Sequence, residues 1–103
     1  VDLHPTGTLP AARVGHSMVY DPAGGRLILF GGAESSGNSL NDTWAYDPVA
    51  NTWAKPAPLH GAAPSRRVDH AMVYDPSGER LILFGGHSSS HGILNDTWAC
   101  TFE

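Results

Sequence analysis

Histidine has the widest chemical reach of the residues in this chain, and two of its six histidines share one local setting: His16 in Arg13-Val14-Gly15-His16 and His70 in Arg67-Val68-Asp69-His70. Imidazole ligates metals and acts as a general base near neutrality. At equivalent positions of a repeated structure, such rings could line a common axis and hold a metal. The competing assignment is structural, with each ring packed against a neighbouring element and bonded to backbone. No carboxylate accompanies both copies, as a shared metal site would want. Asp69 beside His70 is the one local carboxylate–histidine pair; its counterpart is Gly15, and adjacent residues on a strand point to opposite faces. His87 and His91 flank three serines, and their i, i+4 spacing suits joint ligation only on a helix, whereas "GGHSSSHG" reads as a solvated loop. Ser35, Ser36, Ser88, Ser89 and Ser90 lie in loops without a motif that would position a base or an oxyanion hole. No helix is predicted to back a phosphate-binding loop. These residues compose no catalytic constellation, so neither an enzyme nor a cofactor is expected. A metal-dependent activity through His16 and His70 is the alternative.

The elements that must position these residues are repeated. "RLILFGG" occurs at Arg26 and again at Arg80, 54 positions on, and the same offset carries "LNDTWA" from Leu40 to Leu94. Arg13 to Tyr46 aligns with Arg67 to Cys100 without a gap, identical at 24 of 34 positions. A repeat of this kind has to be recognised before the fold is assigned.

Twelve glycines and eight prolines interrupt the chain so often that no run free of both exceeds 11 residues, which rules out a helical bundle. No apolar run approaches the ~20 residues that span a bilayer, and "VDLHPTG" lacks the regions of a signal peptide. The net charge is −4 with scattered basic residues, which argues against nucleic acid or an anionic membrane as partner. Cys100, the single cysteine, takes the place of Tyr46 and reads as a small half-buried hydrophobe. Nothing in the sequence indicates a compartment.

Within one repeat, strands are predicted over His16 to Tyr20 and Arg26 to Phe30, joined by Asp21-Pro22-Ala23-Gly24. Proline presets the turn's φ there, and glycine tolerates a positive one. The second strand is apolar at every position, which implies burial on both faces inside a layered stack. Gly31 and Gly32 end it, a polar loop follows, and a third strand over Asp42 to Tyr46 leads through a second Asp-Pro turn to a fourth over Asn51 to Lys55. One repeat is then a four-stranded antiparallel meander.

Arg13, His16, Gly31, Gly32, Asp42, Trp44, Tyr46 and Trp53, repeated as Arg67, His70, Gly85, Gly86, Asp96 and Trp98, give the chain its resemblance to the kelch repeat, a blade of a β-propeller. The resemblance implies an all-β fold of two four-stranded blades, the first over residues 13–55 and the second over 67–103, within one unit spanning 1–103. Two blades cannot close a ring of ~4 to 8. The second copy also stops before its fourth strand, while residues 1–12 align with Lys55 to Arg66. The expectation is a second blade completed by an N-terminal strand over residues 1–5, with closure by homo-oligomerisation, as a trimer first and a tetramer second. The copper site of galactose oxidase, which the family would offer as catalytic precedent, finds no matching constellation here.

Five of the ten differences between copies fall at positions 33, 34, 37, 38 and 39, in the loop between second and third strands. Loops on a rigid scaffold are the usual place for binding residues, and kelch domains commonly bind proteins or peptides. Glu34, Ser35, Ser36, Asn38, Arg66, His87, Ser88 and His91 are therefore the candidate ligand-binding residues. Gly31, Gly32, Gly85, Gly86, Trp44, Trp53 and Trp98 are structural. The other readings are loops without any constraint, a carbohydrate-binding module, and a purely structural or engineered self-assembling fragment.

Overall fold

The computed structural model describes residues 1–57 and 63–102, so part of the Pro56 to Pro64 connection and Glu103 lie outside the described residues. Every regular element in it is a strand: β1 (Ser17–Asp21), β2 (Arg26–Phe30), β3 (Thr43–Asp47), β4 (Thr52–Ala54), β5 (Ala71–Asp75), β6 (Arg80–Phe84), β7 (His87–Ser88), β8 (Gly92–Ile93) and β9 (Thr97–Cys100). The first repeat forms the sheet β1-β2-β3-β4, the second forms β5-β6-β9, and β7-β8 is a small ribbon in the second repeat's loop. All strand pairs are antiparallel, and equivalent residues pair in equivalent register, Met18 with Leu29 and Met72 with Leu83.

One turn design, an aspartate followed by proline, closes three hairpins. The Asp21 carboxylate accepts the Ala23 and Gly24 amides, Asp47 accepts those of Val49 and Ala50, and Asp75 accepts that of Ser77. The residue four beyond each aspartate carries the positive φ: Gly25 at 65°, Asn51 at 59° and Glu79 at 50°. This shifts two of the predicted strands by one residue. Asp21 and Asp47 still pair across the ladder, with Arg26 and Thr52, while their side chains cap the turn, and Asn51 belongs to the turn rather than to β4.

The sheets stack face to face. Ile28 and Ala45 of the first meet Leu81 of the second, and Val19, Met72, Tyr74, Cys100 and Phe102 pack around them. Burial on both faces of the apolar strand holds for β2, where Ile28, Leu29 and Phe30 are all buried. It does not hold for β6: Leu81 is buried against the first sheet and Leu83 is buried too, but Phe84 is 52% exposed where its counterpart Phe30 is 3%. The sequences are identical, and only Phe30 has a sheet stacked over it.

Among the described residues the second sheet holds three strands rather than the expected four. In the single chain the N-terminal segment runs beside the first sheet's outer edge. Thr6 forms a parallel bridge with Thr52, and the Asn51 side-chain amide donates to the Leu3 carbonyl at 2.7 Å.

Candidate functional site

The buried polar groups divide into those that hold the blades together and those that could meet a ligand. Arg67, fully buried, uses all its donors: Nε and Nη2 on the carbonyl and hydroxyl of Ser65, Nη1 on the Gly85 carbonyl, and both Nη atoms on Asp96 at 2.7 Å each. The Trp98 indole donates to the same Asp96 carboxylate. Arg13, Gly31, Asp42 and Trp44 repeat the arrangement in the first sheet. The arginine fork and the indole hold both carboxyl groups, Asp42 and Asp96, below the usual carboxylate range. These arginines, with Trp44 and Trp98, are framework. Trp53 belongs with them, its ring 5.2 Å from that of Tyr46 across β3 and β4.

The glycine pairs let the framework close. Backbone bonds cross the junction between sheets from Gly32 N–H to Arg67 C=O at 2.9 Å, from Arg67 N–H to Leu40 C=O at 3.3 Å and from Asp69 N–H to Gly15 C=O at 2.8 Å. A Cβ on Gly31 would stand 2.8 Å from the Arg67 carbonyl oxygen and 2.9 Å from the His70 ring.

The two candidate metal ligands have different surroundings. His16 is exposed, whereas His70 is buried at the junction with the Phe30 ring edge-on to it at 5.5 Å. Among the described residues no group of three or more His, Cys, Asp or Glu side chains could hold a metal ion. Asp69 pairs not with its neighbour His70 but with His87, whose Nε2 is 3.1 Å from the Asp69 carboxylate. The sequence signal for that contact is the joint replacement of Gly15 by Asp69 and of Ala33 by His87 between repeats.

The loops that differ between repeats do converge. A cleft of about 430 Å³ is lined by Glu34, Asn38, Ser39 and Leu40 from the first repeat and by Arg66, Ser89 and Ser90 from the second. Three of the eight candidate ligand-binding residues, Glu34, Asn38 and Arg66, meet there. Ser89, Ser90, Ser39 and Leu40 are additions that sequence reasoning missed. Ser88 is buried beneath, its hydroxyl accepting the His91 amide, while His91 Nδ1 lies 2.9 Å from the Ser90 hydroxyl. Ser35 lines a separate cleft with Arg13 and Val14, and Ser36 is exposed outside both.

Arg66 stands apart from the other arginines. Arg13, Arg26, Arg67 and Arg80 are each within 4.0 Å of an aspartate, whereas Arg66 makes no ion pair among the described residues and is held by one bond, Nη1 to the Ser39 carbonyl at 3.1 Å. A larger cavity of about 670 Å³ opens at the opposite, hairpin end, but its arginines, Arg26 and Arg80, are paired with Asp21 and Asp75.

Comparison with known proteins agrees with this geometry. The family described as the KLHDC2/KLHL20/DRC7 kelch-repeats domain matches residues 1–103. Dynein regulatory complex subunit 7 of Chlamydomonas reinhardtii is 37% identical over 80% of this chain, an F-box/kelch-repeat protein of Arabidopsis thaliana 35% over 90%, and the Rab9 effector protein with kelch motifs of Gallus gallus 38% over 80%. The matches cover 7%, 19% and 22% of those relatives, so the chain spans a small part of their length. With the family matched end to end and its arginine, double-glycine and tryptophan positions built into two stacked antiparallel sheets, the chain belongs to the kelch-repeat family.

Proposed function

We propose that the cleft between the two repeats binds a protein segment and takes an acidic side chain of it against Arg66. The observation that carries this reading is the guanidinium without a carboxylate partner among the described residues, in a cleft whose walls come from both repeats. Ser89, Ser90 and Asn38 supply neutral hydrogen-bonding groups in the same cleft, and Glu34, which also lines it, disfavours a second acidic residue there. The protein-binding role general to kelch domains supports the same reading.

A random peptide library displayed on phage and selected on this protein tests it. Enriched sequences should carry Asp or Glu, and Arg66→Ala should weaken their binding by about 10- to 100-fold, the worth of a charge-assisted hydrogen bond. Arg66→Glu should invert the preference toward Lys and Arg. Peptides that bind Arg66→Ala as tightly as the parent would overturn the assignment.

A second reading, self-assembly, rests on the faces left uncovered. Met18 and Tyr20 on the first sheet and Val73 and Phe84 on the second are all at least half exposed, and they are the repeat counterparts of residues in or beside the junction, Met72, Tyr74, Val19 and Phe30. Copies stacked head to tail would bury them, and three copies would make a ring of six blades.

A further inference from the structure

Among the described residues, the two ring nitrogens of His70 are the buried side-chain polar atoms without a hydrogen-bond partner. The other buried polar side chains nearby are accounted for: Arg67 spends every donor, and Ser88 ties down its own loop. His70 is 7% exposed and belongs to neither the cleft nor the arginine framework. It heads β5 on the second sheet, yet its ring lies against the first, beside Phe30 and over the backbone of Gly31. The Ser17 hydroxyl, also from the first sheet, reaches the His70 carbonyl at 3.5 Å.

This packing suits a neutral imidazole and not a charged one. Burial away from water disfavours the imidazolium most. The Arg67 cation on its own sheet and His16 on the facing sheet oppose it as well. In its favour stand the Phe30 carbonyl, near the ring without hydrogen-bond geometry, and the Asp69 carboxylate, which is engaged by His87. Burial outweighs both, so the ring holds its proton less readily than an ordinary histidine.

We infer that His70 makes the junction between the two sheets acid-sensitive: neutral, it fills the space between Phe30 and Gly31, and protonated, it leaves that space and the sheets part. The sign follows from linkage. A histidine whose folded pKa is depressed contributes no pH dependence above its ordinary value of about 6.5. Below that value the unfolded chain takes up the proton that the folded junction refuses, so stability falls as pH falls. Because the proposed binding cleft takes its walls from both sheets, acid would dismantle it too; the inference itself rests on the junction alone.

The test is urea unfolding of the intact chain at pH 7.5, 6.5, 5.5 and 5.0, with His70→Gln and His16→Gln beside it. The unfolding constant of the parent should rise about tenfold per pH unit below 6.5, one proton's worth, until the folded pKa is reached. His70→Gln should lose that component and His16→Gln should keep it. Proton NMR of the parent covers the case in which His70→Gln does not fold: the ring Cε1–H of His70, assigned by its burial, should hold its neutral shift through pH 6.5. A ring titrating at the ordinary histidine value, or a pH dependence unchanged in folded His70→Gln, would overturn the inference.

Discussion

At the scale of single residues, the arginine fork shows what type and spacing could reveal and what they could not. Arg13 and Asp42 both belong to the motif, yet they stand 29 positions apart in the sequence, and only the sheet brings them to 2.6 Å. In Arg-x-x-His the histidine has the wider chemistry, yet the arginine holds the blade together. One difference between copies is also informative: Arg67 Nη2 binds the Ser65 hydroxyl, and the equivalent position in the first repeat is Ala11. Removing the carboxylate should be costly, because Arg67 is wholly buried and would be left uncompensated. Asp96→Ala should lower stability by about 3 kcal/mol, toward the low end for a broken buried pair because the outer edge of Asp96 is solvated. With its carboxyl depressed, Asp96 contributes stability that is full above the usual carboxylate pKa of about 3.9 and is lost as pH falls through the lower folded value. Asp96→Asn should therefore flatten the pH dependence of urea midpoints below about pH 4. A midpoint unchanged at neutral pH in Asp96→Ala would show that the fork does not carry the fold.

At the scale of elements, the hairpins and the apolar strands were legible because their causes are local: an Asx turn closed by proline, and a run with no polar position to face water. What covers each strand was not legible, because identical sequences at β2 and β6 meet different neighbours. The double glycines make that difference measurable. Gly31 and Gly85 have nearly the same backbone, φ 70° and 74°, so alanine at either should cost about 1–2 kcal/mol for the left-handed conformation alone. A Cβ at Gly31 would also run into the Arg67 carbonyl and the His70 ring across the junction, whereas at Gly85 the nearest atom is the Leu94 carbonyl oxygen at 3.4 Å. Gly31→Ala should thus be the more destabilising of the two in urea melts of the two-sheet unit. Equal losses would mean either that Gly31 does not sit in a tight junction or that a further blade covers Gly85 as the second sheet covers Gly31. The oligomeric mass separates those two cases.

At the scale of the whole molecule, the chain presents one junction made and two halves of the same junction unmade. The forward half is the outer face of the second sheet, with Phe84 and Val73 exposed, and the Gly86 amide and the Leu94 and Asp69 carbonyls standing where Gly32, Leu40 and Gly15 stand in the junction that is made. The rear half is the outer face of the first sheet, with Met18, Tyr20 and the backbone of Arg13 to His16. The halves match at the 54-residue offset, so a second copy can cover the first with contacts already present once within the chain. A heterologous contact of this kind saturates only on closing into a ring. Phe84 and Phe30 separate assembly from folding, being the same residue in the same strand at 52% and 3% exposure. Phe84→Glu places its charge in water in the single chain and in an apolar junction in the ring, so it should leave strand content by circular dichroism unchanged while reducing the mass seen by light scattering to that of one chain. Phe30→Glu buries its charge in either state and should prevent folding, since an unpaired buried carboxylate costs several kcal/mol. The parent should scatter as three times 10.9 kDa, or as four times if eight blades close instead of six. A parent that is folded and monomeric, or an assembly that survives Phe84→Glu, would refute closure through these faces.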